Sequence, residues 1–340
     1  SSGAGKSTLT NTLAAADVSR FSGLAGRPLS GRADGTLKGQ AMLLSRAFDL
    51  TAEGRGTSLA TGTAALDQLL AGQTRITLSA LRDATGLTLR GLTVSGAGFN
   101  ADANGRATSG DAEFTASLDA KGLHSGIAAA DTLLAGHSDL SLSARAKGGT
   151  LVLADARLTN DRVTITLSDP DLTGTWQTKA KLADAADIVT GFPGPATLSG
   201  TIAQTADAFR LDLTGQGPGQ MAARIAGQFS ADFARADLTA KGRIQAAALN
   251  NLIAPRSADG TLGFDLTLDG PLAISALTGR ITGANLRIAS PSERLSAAFP
   301  NLTATLRDGQ AQLTGQGEIR GGGKISLSGP VTLAAPYTAD

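Results

Sequence analysis

Ala64–Ala80, AALDQLLAGQTRITLSA, and Ala128–Ala144, AAADTLLAGHSDLSLSA, are identical at ten of seventeen positions at an offset of sixty-four residues. A chain that repeats itself at such a period is built from stacked units, each burying its apolar side against the next. Each copy runs from a short Ala/Leu stretch through a Gly into an alternating segment. The agreement resumes further on, where Leu87 and Leu89 match Leu151 and Leu153. One repeat therefore holds several strands and one brief helical or capping turn.

Outward from this pair the dominant period is two. Val163, Ile165 and Leu167 alternate with Thr164 and Thr166, and the same pattern carries Phe209, Leu211 and Leu213, then Leu262, Phe264, Leu266 and Leu268, then Ile325 and Leu327. Successive side chains of a strand point to opposite faces, so this alternation predicts strands with one dry and one wet face. Asp34-Gly35, Asn104-Gly105, Asp259-Gly260, Asp269-Gly270 and Asp308-Gly309 are dipeptides that tolerate positive φ, and they predict tight turns. Helical spacing is confined to Ala14–Phe21, Ala64–Leu70, Ala128–Leu134, Ala183–Val189 and Ala246–Ile253. Helices of about two turns are marginal alone and must lean on a sheet. Further echoes, such as Leu13–Gly31 against Leu182–Gly200 and LTGQG at both Leu213–Gly217 and Leu313–Gly317, recur at other offsets. The fold class expected is all-β: an elongated, repetitive, curved sheet of trough or solenoid type with a few short capping helices.

Composition sets the limits. The 340 residues carry 43 Gly spread evenly and show no break in composition, so residues 1–340 are expected to be one continuous array with no internal boundary. Aromatics make up 4% and charged residues 17%, and the 41% hydrophobic share is mostly Ala, Leu, Ile and Val, enough for a thin, extended core. A net charge of +1 with charges scattered singly gives no basic stripe, so no nucleic acid partner is expected. The absence of Cys removes disulfides and thiolate metal sites and suits a bacterial exported protein. Beginning at Ser1 in a polar, Gly-rich run, the chain reads as a piece of something longer.

Candidate chemistry is sparse. Gly5-Lys6-Ser7-Thr8 reproduces the end of a phosphate-binding loop, and Leu151–Asp155 could pass for its apolar-Asp partner strand. The loop needs a preceding buried strand and a following helix, and the residues after Lys6 instead join the repeating pattern, so a Gly-rich turn is the better reading and a P-loop nucleotide-binding protein the weaker. His124 and His137 are the only histidines; with no Cys and no carboxylates clustered at ligand spacing, they read as exposed turn residues and no metal or other cofactor is expected. Asp169-Pro170-Asp171 reads as turn chemistry rather than a calcium or acid–base site. The Leu-Ser-Gly steps lack a nucleophile elbow. No catalytic group and no enzyme activity are expected.

What remains is the apolar face. About two dozen strands at about 4.8 Å spacing would run a continuous aliphatic stripe over on the order of 100 Å. Such a stripe must be covered or used. It can close on itself as the filled core of a secreted or surface β-solenoid of adhesin type, or stay open as a trough for acyl chains, each buried methylene contributing about 0.8 kcal/mol.

Ala258–Ala335 resembles the repetitive β region of the TamB (translocation and assembly module) family of the AsmA-like superfamily of Gram-negative bacteria. The likeness rests on a Gly-x-Ile-x-x-x-Asn-Leu-Arg-Ile step, Gly279–Ile288, and an Asn-Leu-x-Ala-x-Leu-x-Asp-Gly strand, Asn301–Gly309. Earlier Ala-Ala-Asp to Leu-Ser-Gly units match the family's capping turns, and the likeness covers essentially the whole chain by pattern. The resemblance implies a periplasmic sheet, anchored in the inner membrane by a segment absent from this chain and reaching an outer-membrane barrel of the Omp85 family, TamA-like. It implies conduction of phospholipids between the membranes and a part in outer-membrane protein assembly. On that reading Val163, Ile165, Leu167, Phe209, Leu211, Leu213, Phe264, Leu266, Leu268, Ile325 and Leu327 line the path for phospholipid acyl chains.

Overall fold

Residues 6–15, 17–42, 45–125, 128–205, 207–232 and 234–332 are described by a computed structural model. Their contacts gather into two compact units, Ser1–Thr173 and Gly174–Asp340. The fold is all-β, with twenty strands and a few short helices among the described residues. The first unit contains β1 (Lys6–Ala15), β2 (Ser30–Met42), β3 (Ala47–Ala60), β4 (Gln73–Arg82), β5 (Leu87–Gly96), β6 (Phe99–Ala107), β7 (Ala112–Lys121), β8 (His137–Lys147), β9 (Thr150–Asn160) and β10 (Val163–Ser168). Each pairs antiparallel with its neighbour in sequence, so the unit is an open meander. The second unit has the same plan. It contains β11 (Thr175–Leu182), β12 (Ala196–Gln204), β13 (Ala208–Gly217), β14 (Met221–Ser230), β15 (Ala236–Gln245), β16 (Ser257–Gly270), β17 (Leu277–Ser290), β18 (Leu295–Arg307), β19 (Gln310–Ile319) and β20 (Lys324–Thr332).

The helices are α1 (Ser22–Ala25), α2 (Ala64–Leu70), α3 (Ala128–Leu134) and α4 (Asn250–Ile253), with 3-10 turns at Val18–Phe21, Ala185–Asp187, Ala246–Leu249 and Ile274–Ala276. Of the predicted helical stretches, Ala64–Leu70 and Ala128–Leu134 form as read, and Ala246–Ile253 is a 3-10 turn running into α4. In a meander every odd-to-even connection lies at the same end of the sheet. The helical segments after β1, β3 and β7 therefore cap one end of the first unit, and those after β11 and β15 cap one end of the second. From β3 to β15 a helical connection recurs every four strands, and a further 3-10 turn follows β16.

The sixty-four-residue repeat is thus four strands and a helix: β3–α2–β4–β5–β6 becomes β7–α3–β8–β9–β10. Local details repeat with it. The register slips between Ser79 and Ala80 and again between Ser143 and Ala144, sixty-four residues on. Asp67 in α2 accepts from the Thr61 backbone N–H at 2.5 Å and its hydroxyl at 3.0 Å, while Asp131 in α3 accepts from Ser125 in the same way at 2.5 and 2.8 Å. The Thr61 N–H holds the Asp67 carboxyl below the ordinary carboxylate range, with a further contribution from the Thr61 hydroxyl.

One repeated position is not equally provided for. In the second copy the buried Ser138 receives a hydrogen bond from Asn160 Nδ2 at 3.1 Å, and the same amide ties down the α3 carbonyl of Leu133 at 2.8 Å. The first copy has Thr74 for Ser138 and Gly96 for Asn160, and the Thr74 hydroxyl, 2% exposed, has no hydrogen-bond partner. A buried unmade hydrogen bond costs about 1–3 kcal/mol, whereas an apolar group of the same shape incurs no such cost. Thr74→Val is expected to stabilise the protein by about 1 kcal/mol or more, read as a raised urea midpoint with an unchanged slope.

Sequence and structure part at the turns. Only Asp308-Gly309 forms a two-residue hairpin, with φ of 52° and 75° between β18 and β19. Asp269-Gly270 ends β16 before a longer connection, and Asp259-Gly260 lies within β16 at a register shift. Asp34-Gly35 and Asn104-Gly105 lie inside β2 and β6. The dipeptide reading fails there because the glycine gives space to the facing strand: a Cβ on Gly105 would collide with the Phe114 ring and one on Gly35 with the Glu53 carbonyl. Lys6-Ser7-Thr8 open β1, an antiparallel strand rather than a turn or the loop-to-helix step of a nucleotide site, and Gly5 lies outside the described residues. Asp169-Pro170-Asp171 is a turn, as read, although Asp169 is buried.

Large side chains are buried chiefly beneath the helical end of the second unit. Ala246, Leu286, Ala297 and Phe299 form one cluster, and Ala185, Phe192 and Ile244 another. Asp184 secures the second, its carboxylate accepting from the backbone N–H groups of Gly194 at 2.8 Å and Ala186 at 3.0 Å.

Candidate functional site: an apolar face beside a short helix

Residues directly opposite each other on antiparallel strands project to the same side. Following the register from β4 to β10, Ile76, Val94, Ala101, Leu118, Leu140, Leu158 and Ile165 form one unbroken row. A second row places Leu78, Leu92, Ala103, Ala116, Leu142, Ala156 and Leu167 beside it. The intervening residues, among them Thr77, Thr93, Asp102, Ser117, Ser141 and Arg157, make the other face polar.

In the second unit the same construction gives the row Leu213, Ile225, Ala240, Leu266, Gly279, Leu306, Ala311 and Val331. Its polar side carries exposed ion pairs, Arg224 with Asp212 at 2.5 Å and Lys241 with Asp265 at 2.9 Å. At such exposure these pairs contribute little to stability and serve to keep that face wet. Hydrogen bonding and the charge of Arg224 hold the Asp212 carboxyl below the ordinary range.

Within each unit, then, the residues predicted to line a path share a face, but they are not equivalent. Val163 is buried at 5% exposure, while the other ten are partly exposed. Phe209 stacks on Phe229 with ring centroids 5.4 Å apart. Ile325 and Leu327 pack against the Phe299 cluster and belong partly to the core, because Gly317 and Gly315 opposite them leave space for the Phe299 and Leu302 side chains.

One markedly apolar recess involves none of the eleven. It is a cavity of about 330 Å³ in the first unit, between α2 and the apolar face of β5–β8. Leu66, Leu69 and Leu70 of α2, at the i, i+3, i+4 spacing of one helix face, form one side. Leu92, Val94, Phe99, Leu118, Leu140 and Leu142 form the other, and the polar contribution of Asp102 and Ser117 is negligible. Leu66 and Leu142 remain 41% and 36% exposed, so the helix borders this face without filling it. The Ala/Leu stretch was visible in sequence as a cap; its role as a wall follows from its position over strands β5–β8, which lie up to about seventy residues away in the chain.

The two histidines are exposed, as read, but His137 opens strand β8 rather than lying in a turn, and neither is isolated. His124 lies 3.7 Å from Asp131, and His137 Nε2 lies 2.9 Å from Asp119 Oδ2. The sequence shows no carboxylates at ligand spacing, yet strand pairing places Asp119 of β7 opposite Asp139 of β8, two residues from His137. Cross-strand adjacency has no local sequence signature, which is why spacing along the chain missed it. No family model, curated protein or solved structure matches this chain.

Proposed function

We propose that this chain is part of a bridge-like lipid-transfer protein, whose apolar sheet face conducts phospholipid acyl chains between the inner and outer membranes of a Gram-negative envelope. The observation that carries this reading is the open recess beside α2, walled almost entirely by Leu, Val, Phe and Ala. Its walls offer hydrophobic contact without a hydrogen-bonding pattern that would select or arrest one chain, as a sliding cargo requires. A dozen buried methylenes would supply about 10 kcal/mol of gross transfer free energy, enough to offset ordering of the chain. The resemblance to the TamB family supports the periplasmic setting, the inner-membrane anchor in the full-length protein and the Omp85-type outer-membrane partner.

The test is native mass spectrometry of the purified chain, coupled to displacement of a fluorescent fatty acid. Co-purified phospholipid and saturable probe binding are expected. Leu118→Glu, which puts an unpaired carboxylate in the middle of the recess, is expected to reduce probe affinity by tenfold or more, since burying an uncompensated charge costs several kcal/mol. Lipid-free protein that also ignores the probe would end this reading in favour of a structural β protein.

A further inference from the structure

We propose that Asp119, His137 and Asp139 form a site for a divalent transition-metal ion such as zinc on the polar face of the first unit. The two carboxylates come from directly opposed positions of β7 and β8, and His137 lies two residues before Asp139 on the same side of its strand. A ligand atom from each of the three lies within 4.8 Å of the other two, and His137 Nε2 already approaches Asp119 Oδ2 to 2.9 Å. The bonds expected are of about 2.0–2.2 Å to imidazole nitrogen and carboxylate oxygen. One imidazole and two carboxylates suit zinc and its first-row neighbours, and leave a coordination position for water.

Two independent observations favour a cation here. Like charges directly opposite on a sheet are destabilising, and a cation held between Asp119 and Asp139 would remove that repulsion. The two carboxylates also line a polar recess of about 470 Å³ to which Asn100, Asp102, Arg157 and Thr159 contribute. Lys121, opposite His137, and Arg157, bonded to Thr159 opposite Asp139, oppose binding by their charge and set the site apart from a high-affinity structural one. The repeat supplies an internal control. Sixty-four residues earlier the same three positions are Arg55, Gln73 and Arg75, with Arg55 opposite Arg75, a set that repels cations. The two copies have therefore diverged to opposite charge at one structural position.

The experiment is calorimetric titration of zinc into the tag-free protein. One equivalent is expected to bind, with affinity reduced about tenfold or more by His137→Gln and by Asp119→Asn with Asp139→Asn. His124→Gln is expected to leave the titration unchanged. All four residues are exposed, so circular dichroism of the variants is expected to match the parent. No saturable binding, or binding that His124→Gln abolishes and His137→Gln spares, would overturn the proposal. The test is independent of lipid binding, because the cluster lies on the opposite side of the sheet from the recess beside α2.

Discussion

Replacing Phe299 by alanine is expected to cost about 3–5 kcal/mol of stability, the range for deleting a fully buried aromatic ring. Phe299 is 2% exposed and is the centre of the cluster with Ala246, Leu286 and Ala297, on which Leu262, Ile288, Leu302, Ile325 and Leu327 pack. Its ring also covers Gly317, where an added Cβ would lie 2.8 Å from the ring edge. With strands on both sides contributing to one small cluster, the void cannot be closed by moving a single element, so the upper part of the range is expected. Urea unfolding of the second unit, followed by circular dichroism, measures it. Leu198→Ala, at a 37% exposed position of the same unit, is the comparison and should cost far less. Equal losses from the two would show that the cluster is not the core.

The second large effect is expected at Gly279. Its φ of 127° is open to glycine and strained for any L-residue, and a Cβ there would overlap the carbonyl oxygen of Asp265 on the facing strand. Gly39, Gly200 and Gly227 repeat the arrangement, each opposite the Leu of an Asp-Leu pair and each with its would-be Cβ against the Asp carbonyl. These glycines let neighbouring backbones approach within the sheet, the role glycine takes where a strand bends. Gly279→Ala is expected to cost about 3 kcal/mol, from about 1–3 kcal/mol of backbone strain plus displacement of β16. Gly91→Ala, at ordinary φ with open space around the added carbon, is expected to change stability by less than about 1 kcal/mol. Thermal unfolding of the two variants side by side decides the matter; equal midpoints would sink the argument.

Much of the fold is legible in the chain because its signals are local. Strand alternation at Val163–Leu167 and Leu262–Leu268 reports the period of a pleated backbone. The Ala/Leu stretches at Ala64–Leu70 and Ala128–Leu134 become helices at those residues, since two turns of good helix formers can dock on a sheet without long-range instruction. Turn dipeptides proved less informative. Asp34-Gly35 and Asn104-Gly105 satisfy the turn rule yet run through strands, because a glycine selected to admit a cross-strand neighbour looks in sequence like one selected for positive φ.

The candidate sites were less accessible still. Alternation identified which side chains share a face within a strand, but the recess beside α2 needs Leu66, Leu118 and Leu142 from three elements, and the Asp119–His137–Asp139 cluster needs the register of β7 on β8. Thr74 and Ser138 occupy the same place in the two repeats, and only their neighbours reveal that one hydroxyl is satisfied and the other is not. By itself the sequence determined the strand period, the sixty-four-residue repeat and the helices at Ala64–Leu70 and Ala128–Leu134, signals carried by residues close together in the chain. Tertiary structure alone decided which residues meet across strands and which apolar surface stays open, because hydrogen-bond register joins positions tens of residues apart and depends on every bulge between them.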